Sequence, residues 1–438
     1  SVLGEALRHL RGEARRAADG GRPSWIGKLI LSEFGEPRPN LANAITALRH
    51  APEWQGVLGF DEFRAGACLI GHPPWGGFTA IREWTETDDR LSTEWLQRAG
   101  IDVRPDTVSQ AVETVARETP FHPVRDYLSS IAWDGQPRLE HWLIDHLGVD
   151  DTAYARAVGT RWMIGAVARI FRPGCKADCA LILEGAQGIR KSTALRTLAE
   201  PWFTDELADL GSRDAAMQTR GAWVIELAEL DAVSRAEVSR IKAFMSRTTD
   251  RFRPPYGRRL VESPRSCVFA GSVNDDAYLR DASGGRRFWP VRCGEIDVGA
   301  LAAARDQLWA EAVVRFRAGE PWWLDDRDLI DAAAVEQSAR LQRDAWEERI
   351  RDWCETETVT DDHGYGPPTV RRIPRREPIR DTTMSELLGA ALGIEVGRWN
   401  RGDQQRVAAI LTEAGWQRYQ RREGERREWR WRQDPITS

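Results

Sequence analysis

Residues 185–193 place two glycines ahead of a Lys-Ser-Thr triplet, in an order that suits phosphate binding. Gly185 and Gly188 let backbone N–H groups turn inward on an anion, and a predicted helix after Arg190 directs its positive end at the same point. Lys191 is placed to reach the β- and γ-phosphates of a nucleotide, and the Ser192 hydroxyl is placed to ligate Mg²⁺. The alternative is a glycine-rich turn followed by a chance Lys-Ser pair. The predicted nucleotide contacts are Gly185, Gln187, Gly188, Ile189, Arg190, Lys191, Ser192 and Thr193.

The segment 185–190, called the glycine loop below, departs from the usual pattern at one position. The pattern G-x-x-x-x-G-K-[ST] has glycine directly before the lysine, where this chain has Arg190. Gly188 supplies a glycine three residues before the lysine instead. We expect the loop to tolerate Arg190 if the φ angle of that residue is negative.

Residues 222–229 form an apolar run that ends in carboxylates. Ligands of open α/β sheets bind beyond the carboxyl ends of the strands, which is where Glu226 and Glu229 are expected. We assign Glu229 as the hydrolytic base because it lies past the apolar run. Glu226 either holds Mg²⁺, directly or through water, or is a structural ion-pair partner. Exposed acids at a strand end are the alternative for both.

Two further segments carry candidate catalytic side chains. Asn274 ends an apolar strand at 267–274, where an amide can bond a γ-phosphate or orient water. Arg286 and Arg287 lie in a glycine-led loop anchored by aromatic residues, which suits an arginine finger acting on a neighbour's nucleotide. Which of the two arginines would act is left open, and a surface salt-bridge pair is the alternative.

A basic turn at residues 251–259 carries four arginines and a Pro-Pro-Tyr-Gly sequence. Arginines beside an aromatic ring suit a single strand of phosphates with stacked bases. A plain basic surface hairpin is the alternative. The predicted single-stranded DNA contacts are Lys242, Arg253, Tyr256, Arg258 and Arg259.

Short apolar runs at 180–183, 222–225 and 267–270 alternate with helical patterns at 192–199, 233–246 and 300–318. Such alternation favours a parallel sheet with helices on both faces. We predict an α/β P-loop NTPase (AAA+-like) core with a helical N-terminal region and a small C-terminal winged-helix-like module. The predicted domains are a flexible arm (1–22), an N-terminal accessory region (23–110), a helical domain (111–172), the ATPase core (173–330), a helix and linker (331–381, with the linker at 355–380) and the winged-helix-like module (382–433).

The C-terminal module is predicted from two helices followed by a hairpin of strands at 416–422 and 426–432. Thr383 and Glu386 have capping-box spacing, and Gly393 is placed to end the first helix. Residues 369–433 hold fifteen arginines, no lysine and nine acids, a charge of +6. Duplex DNA is therefore the expected partner, with protein docking as the alternative. The predicted contacts are Arg406, Arg422 and Arg426, whereas Trp416, Trp429 and Trp431 are expected to pack beneath the hairpin.

The whole chain of 438 residues carries a net charge of −5, which argues against a generally basic nucleic-acid coat. No apolar run reaches the roughly 18 residues of a membrane span, so no membrane partner is expected. The N-terminus lacks the pattern of a secretory signal, and we expect a cytoplasmic protein.

Several of these segments resemble the virulence-associated protein E family of phages and mobile elements. The resemblance is carried by residues 122–128, 173–176, 184–193, 223–231, 241–244, 250–257 and 285–290. It implies an ATP-binding core similar to superfamily 3 helicases of the AAA+ class, which typically form hexameric rings on single-stranded DNA during replication. By this resemblance Asn274 is sensor 1, Arg286 or Arg287 is the arginine finger, and 251–259 is the DNA-gripping hairpin. A bacterial host cell is implied, and the region before residue 110 is too short for a full primase, so priming would fall to a separate protein.

Three functions remain at this point. The first is a ring-forming, DNA-stimulated ATPase or helicase that uses ATP and Mg²⁺. The second is an ATP-switched DNA-binding initiator or defence-type NTPase without unwinding activity. The third is phosphoryl transfer to a small substrate, which would need neither the paired arginines nor the basic hairpin and module.

Overall fold

Two structural units divide the chain, Ser1–Arg340 and Leu341–Ser438. The computed structural model describes residues 25–206, 213–228, 235–252, 260–274, 279, 285–340, 344–361, 369–423 and 426–433. Among the described helices, none combines the length and the apolarity that a bilayer crossing requires.

The first unit begins with a small α/β layer that has its own hydrophobic core. Its four-stranded sheet has the order β3-β2-β1-β4; the third of its helices packs on the sheet, and the other two pack on that helix. Asn40 caps the first helix, and Thr85 and Asp88 form a capping box on the second. The elements are α1 (Leu41–His50), β1 (Leu58–Asp61), β2 (Gly66–Leu69), β3 (Arg82–Glu83), α2 (Glu86–Arg98), α3 (Pro105–Ala116) and β4 (Pro120–Phe121).

The predicted boundary at residue 110 falls inside α3 and needs correction. Val112 and Val115 of α3 are buried in the same core as the residues before 110. Strand β4 then pairs in parallel with β1, opposing Pro120 to Phe60. The N-terminal layer therefore extends to about Phe121, because its last helix and strand have no other core to join.

Three helices follow and share one core with the central sheet of the first unit; the third packs directly on the sheet, and the first two pack on the third. They are α4 (Pro123–Ser130), α5 (Trp142–Leu147) and α6 (Ala153–Phe171). Trp162 of α6 donates its indole N–H to the carbonyl of Phe269, and Trp223 donates to the carbonyl of Ala166 in α6. The predicted helical domain 111–172 is therefore not separate, since these helices share one core with the sheet.

The central sheet has five parallel strands in the order β11-β5-β10-β7-β6. Helices cover both faces, which is why the strands read as continuous apolar runs. Because β10 lies between β5 and β7, the carboxyl ends of these three strands meet. The elements are β5 (Ala180–Glu184), α7 (Lys191–Ala199), β6 (Phe203–Thr204), α8 (Arg213–Gln218), β7 (Val224–Leu227), α9 (Arg235–Met245), β8 (Thr249–Phe252), β9 (Val261–Pro264), β10 (Val268–Val273), β11 (Phe288–Arg292), α10 (Val298–Arg317) and α11 (Arg327–Ala339).

The sequence-based prediction of a parallel α/β sheet is confirmed. Each predicted strand is present; β5 begins at the predicted residue, and the other bounds lie one to three residues nearer the carboxyl end. Strands β8 and β9 form a separate antiparallel hairpin whose connecting turn lies outside the described residues.

The second unit contains a three-stranded antiparallel sheet, β14-β16-β15, packed on helices. The order of its elements, helix, strand, helix, helix and hairpin, is that of a winged helix, with an extra hairpin inserted after the first helix. Its elements are α12 (Ala345–Glu355), β12 (Thr356–Asp361), β13 (Thr369–Pro374), β14 (Asp381–Thr383), α13 (Met384–Glu386, continued by a π-helical turn over Leu387–Ala391), α14 (Arg401–Glu413), β15 (Gln417–Glu423) and β16 (Arg426–Arg432).

Two predictions about this region are wrong. The predicted linker 355–380 instead contains the β12–β13 hairpin, which pairs Thr356 with Pro374. The module starts before residue 382, because Ile350 and Cys354 of α12 are buried in its core. The Thr383–Glu386 capping box is confirmed, and Gly393 ends its helix in the left-handed region at φ +69°.

Candidate functional site

The glycine loop connects β5 to α7 through three residues with positive φ. Gly185 has φ +143°, and a Cβ there would lie 2.7 Å from Cδ1 of Ile189. Gly188 has φ +87° and open space around it, which leaves the backbone accessible to an anion. The positive φ angles therefore require glycine at both positions. At Gly185 the close approach of Ile189 also leaves no room for a Cβ.

Arg190 adopts the left-handed conformation, with φ +73° and ψ +28°, directly before α7. The condition of a negative φ, on which the loop was expected to tolerate Arg190, is therefore not met. The backbone follows the path that the usual glycine would take, although a side chain there costs about 1–2 kcal/mol. Such strain is kept where the surroundings dictate the backbone, and it is concentrated at ligand-binding sites.

Lys191 is buried, at 6% exposure, beneath the glycine loop. Its Nζ donates to the carbonyl oxygens of Gly185 at 2.7 Å and Ala186 at 3.0 Å, and to Oδ1 of Asn274 at 3.0 Å. The ammonium group is thus held where phosphate oxygens would lie between the loop and the end of β10. Two predicted site residues from distant segments, Lys191 at the start of α7 and Asn274 directly after β10, are in direct contact.

Ser192 and Glu226 are the second pair that the structure brings together. Ser192 donates its hydroxyl to Oε1 of Glu226 at 2.7 Å. Glu226 is 1% exposed, and its Oε2 has no hydrogen-bond partner among the described residues. A buried carboxylate oxygen without a donor is costly unless a cation or another donor completes it.

This donor set fits Mg²⁺, which takes one or two protein oxygens and keeps its other positions for water and phosphate. The described part of the chain holds no group of three or more His, Cys, Asp or Glu around one metal position. Mg²⁺ does not need such a group, because water and phosphate supply its other ligands. Of the two roles left open for Glu226, the contact with Ser192 favours metal binding over an ion pair.

Ser272 was missed by the sequence analysis. Ser272 lies on β10, two residues before Asn274. Its hydroxyl lies 3.4 Å from the hydroxyl of Ser192. Alternation along a strand places Ser272 and Asn274 on the same face, which is the signal that could have identified it.

The loop is anchored by a buried ion pair that the sequence also did not reveal. Glu184, the last residue of β5, accepts two hydrogen bonds of 2.8 Å from the guanidinium of Arg340. Arg340 also pairs with Glu336 one turn earlier in α11. The first unit therefore ties its own carboxyl end to the base of the glycine loop.

A thiol beside the loop is chemically inert. The carbonyl of Cys293 lies 3.2 Å from where a Cβ of Gly185 would stand. Burial raises the pKa of the Cys293 thiol to about 12 despite the nearby Lys191. The thiol stays protonated at neutral pH and contributes neither a nucleophile nor a metal ligand.

The two candidate finger arginines have different surroundings. Arg287 is held by Asp178, with its Nε 3.4 Å from the carboxylate, and it donates to Ser246 at 2.9 Å. The side chain of Arg286 is exposed and has no ion-pair partner within the described ranges. Arg286 is therefore the arginine that is available for an external anion.

Both arginines lie at the opposite end of the sheet from the glycine loop. They precede β11, whose first residue, Phe288, pairs with Ala180 at the start of β5. The five residues of β5 span roughly 16 Å before the loop begins. Neither arginine can reach the glycine loop of its own chain.

Of the five predicted single-stranded DNA contacts, the structure describes Lys242 alone. Lys242 is 7% exposed and faces the ring of Phe288 at 6.0 Å, so its prediction as a DNA contact is wrong. Glu229, Arg253, Tyr256, Arg258 and Arg259 lie outside the described residues.

In the second unit, Arg406 forms a bidentate ion pair with Asp344, with both distances 2.7 Å, and stacks on Trp346. Its side chain joins α14 to the start of α12, so we withdraw it as a DNA contact. Arg422 is exposed on β15, and only the backbone of Arg426 is described.

The three tryptophans that were predicted to pack beneath the hairpin differ in burial. Trp416 and Trp431 are buried as predicted. Trp429 is 52% exposed and carries Arg418 over its ring at 4.3 Å, so its prediction as a buried residue is wrong. Alternation along β16 places Trp429 on the same face as Trp431, but β14 pairs with residues 430–432, so Trp429 lies beyond the part of the sheet that β14 covers.

Comparisons with known proteins give a family and weak structural likenesses. Residues 128–342 match the family model described as the virulence-associated protein E-like domain. An apo structure of the NrS-1 C-terminal region aligns at 13% identity with a TM-score of 0.42, and an A-form apo structure of the same region aligns at 13% and 0.40. Each alignment covers 68% of this chain and 75% of that chain. A search of curated proteins finds no match.

Proposed function

Since the chain belongs, over residues 128–342, to the virulence-associated protein E-like domain family, we propose that it is an ATP hydrolase that acts on DNA in the replication of a phage or mobile element. One observation carries the proposal. The Ser192–Glu226 pair leaves a buried carboxylate oxygen without a partner beside the ammonium of Lys191 and the glycine loop.

The binding step uses the glycine loop, the amino end of α7 and Lys191. Backbone N–H groups of the glycine loop and the amino end of α7 receive the phosphates. Lys191 exchanges its bonds to the carbonyls of Gly185 and Ala186 for bonds to the β- and γ-phosphates. Ser192 and Glu226 would hold Mg²⁺, which would supply positive charge to the phosphate oxygens.

The hydrolytic step needs a base and a second cation. We assign Glu229 as the base that orients and deprotonates water, and Asn274 as the amide that positions the γ-phosphate. Arg286 is the arginine finger and acts on the nucleotide of a neighbouring copy, since roughly 16 Å of strand separates it from its own glycine loop. A finger supplied in trans implies self-association, for which a hexameric ring is our proposal.

DNA would be contacted in two places. The turn between β8 and β9 carries the aromatic and basic residues that suit a single strand. The second unit carries exposed arginines such as Arg422 that suit the phosphates of a duplex. A separate protein would supply any primer.

ATP turnover measured with and without single-stranded DNA tests this function. We expect turnover that DNA stimulates, and its loss in Lys191→Ala, because the phosphates lose their only buried lysine partner. Lys28→Ala is the matched control, since Lys28 is exposed in the N-terminal layer. Equal turnover in Lys191→Ala and the wild type would contradict the proposal.

A strand-displacement assay then separates a helicase from an ATP-switched initiator or defence-type NTPase. Turnover without displacement would identify the second class.

A further inference from the structure

A cavity of about 650 Å³ opens at the end of the sheet opposite the glycine loop. It lies between α6 and α11, beside the first residues of β5, β10 and β11. Its volume falls within the range of small-molecule sites. The residues that precede β5 line it, so the length of that strand separates it from the site described above.

The walls of the cavity are aromatic. Trp162 and Trp289 contribute to its buried lining, and Trp322 and Trp323 stand at its rim with their rings nearly perpendicular, at 82°. Trp323 is 52% exposed although it is among the largest apolar side chains. An exposed indole beside a second one offers a flat face on which a planar ring can stack.

The mouth of the cavity is cationic. Lys176 and Arg286 are exposed and form no ion pair in the described part of the chain. Arg161 and Arg287 also line the cavity, but each is paired, with Glu320 and Asp178 respectively. Two cations without partners favour an anionic group at the opening.

A polar group inside the cavity can recognise an edge of a planar ring. Gln337 donates its side-chain amide to the carbonyl of Phe288 at 2.9 Å. Gln337 lines the cavity, and its amide oxygen can accept a hydrogen bond from a ligand. An aromatic slot, an internal acceptor and a cationic mouth are together the complement of a base attached to a phosphate.

We propose that this cavity binds a nucleotide unit, with the base stacked on Trp323 and the phosphate between Lys176 and Arg286. The unit is either a free mononucleotide or one nucleotide of a single strand, since both present the same base and phosphate. An acidic peptide would satisfy the cations but would leave the indole rim without a planar partner. The length of β5 separates the cavity from the glycine loop of its own chain, and the cavity shares Arg286 with the proposed arginine finger.

The test uses the full-length Lys191→Ala chain, in which binding at the glycine loop is disabled. Fluorescently labelled deoxyadenosine monophosphate and a labelled oligothymidylate are titrated separately and followed by anisotropy. Trp323→Ala should weaken mononucleotide binding about tenfold, the effect of removing one base–aromatic stack. Lys176→Glu should weaken it by a similar factor through charge reversal.

Matched controls are Phe34→Ala, which removes an 80% exposed aromatic ring, and Lys28→Glu, which reverses an exposed lysine. Both should leave the affinity unchanged. If only the oligonucleotide responds to Trp323→Ala and Lys176→Glu, the ligand is a single strand. The proposal is overturned if Trp323→Ala and Lys176→Glu leave the affinity for both probes unchanged. It is also overturned if the Lys191→Ala chain binds neither probe.

Discussion

Arg190→Gly should stabilise the protein, which is unusual for a substitution in a ligand-binding loop. Arg190 has φ +73°, and its side chain is exposed and makes no capping hydrogen bond. Its carbonyl accepts the bond from the N–H of Ala194, which glycine would keep. The substitution therefore changes the strain of the backbone and removes no contact of the described structure.

The magnitude follows from two opposing terms. The left-handed conformation costs a non-glycine residue about 1–2 kcal/mol. Glycine offsets about 0.5–1 kcal/mol of this relief, because an unfolded chain with glycine loses more conformational entropy on folding. The net gain in the free energy of unfolding is therefore between zero and about 1.5 kcal/mol, with a midpoint of about 0.75 kcal/mol.

Arg190→Ala is the control for the side chain, because alanine removes the guanidinium but keeps the strain. Calorimetry should place the melting transition of Arg190→Gly a few degrees, roughly 2–4 °C per kcal/mol, above that of Arg190→Ala. Ala65→Gly relieves the one other described non-glycine residue with positive φ, at +52°, and should also stabilise. Equal or lower stability of Arg190→Gly relative to Arg190→Ala would refute the strain argument.

Three further outcomes follow from the same geometry. Arg286→Ala and Lys191→Ala should each be inactive alone, yet a mixture of the two should regain ATP turnover. A finger that acts in trans lets the intact Arg286 of one copy meet the intact glycine loop of another. A mixture without turnover would contradict action in trans. Arg406→Ala should lower the stability of the second unit by about 1 kcal/mol, the sum of an exposed bidentate pair and a ring contact, as measured by thermal melting; an unchanged transition would return Arg406 to the candidate DNA contacts. A chain ending at residue 343 should keep ATP turnover and lose duplex affinity, and the wild-type affinity should fall with a log–log salt slope near −0.9 per neutralised phosphate; salt-insensitive duplex binding by the shortened chain would place the contact elsewhere.

The sequence predicted those parts of the site whose geometry is determined by one strand and the residues that flank it. The apolar run before Gly185 and the Lys-Ser pair after it predicted a strand, a loop and a helix in the right places. The convergence of Lys191, Glu226 and Asn274 followed from one rule, that parallel strands bring their carboxyl ends to one edge.

Contacts between distant segments were not predicted. Glu184 and Arg340 are 156 residues apart, and no local pattern pairs a particular arginine with a particular acid. Arg406 and Asp344 are 62 residues apart, and their pairing depends on how α14 packs on α12. A charge count treats all arginines of a basic segment alike, whereas the fold commits some of them to internal ion pairs.

Burial was misjudged where helix orientation decides it. Lys242 belongs to an amphipathic pattern whose orientation on the sheet is set by tertiary packing, and the packing turns this lysine toward Phe288. The backbone at Arg190 was misjudged for a related reason. The path of the glycine loop is set by the strand and helix it joins, so the residue adopts the conformation that the path requires.

Calorimetric titration of ATP with and without Mg²⁺ tests the central claim most directly, namely that the glycine loop, Lys191 and the Ser192–Glu226 pair hold a metal–nucleotide. The wild type should bind ATP more tightly when Mg²⁺ is present, and Lys191→Ala should weaken binding in both conditions. Glu226→Gln keeps an acceptor for Ser192 but removes the charge, so it should bind ATP without Mg²⁺ as the wild type does and lose the enhancement by Mg²⁺. Full enhancement in Glu226→Gln, or unchanged ATP affinity in Lys191→Ala, would contradict the account.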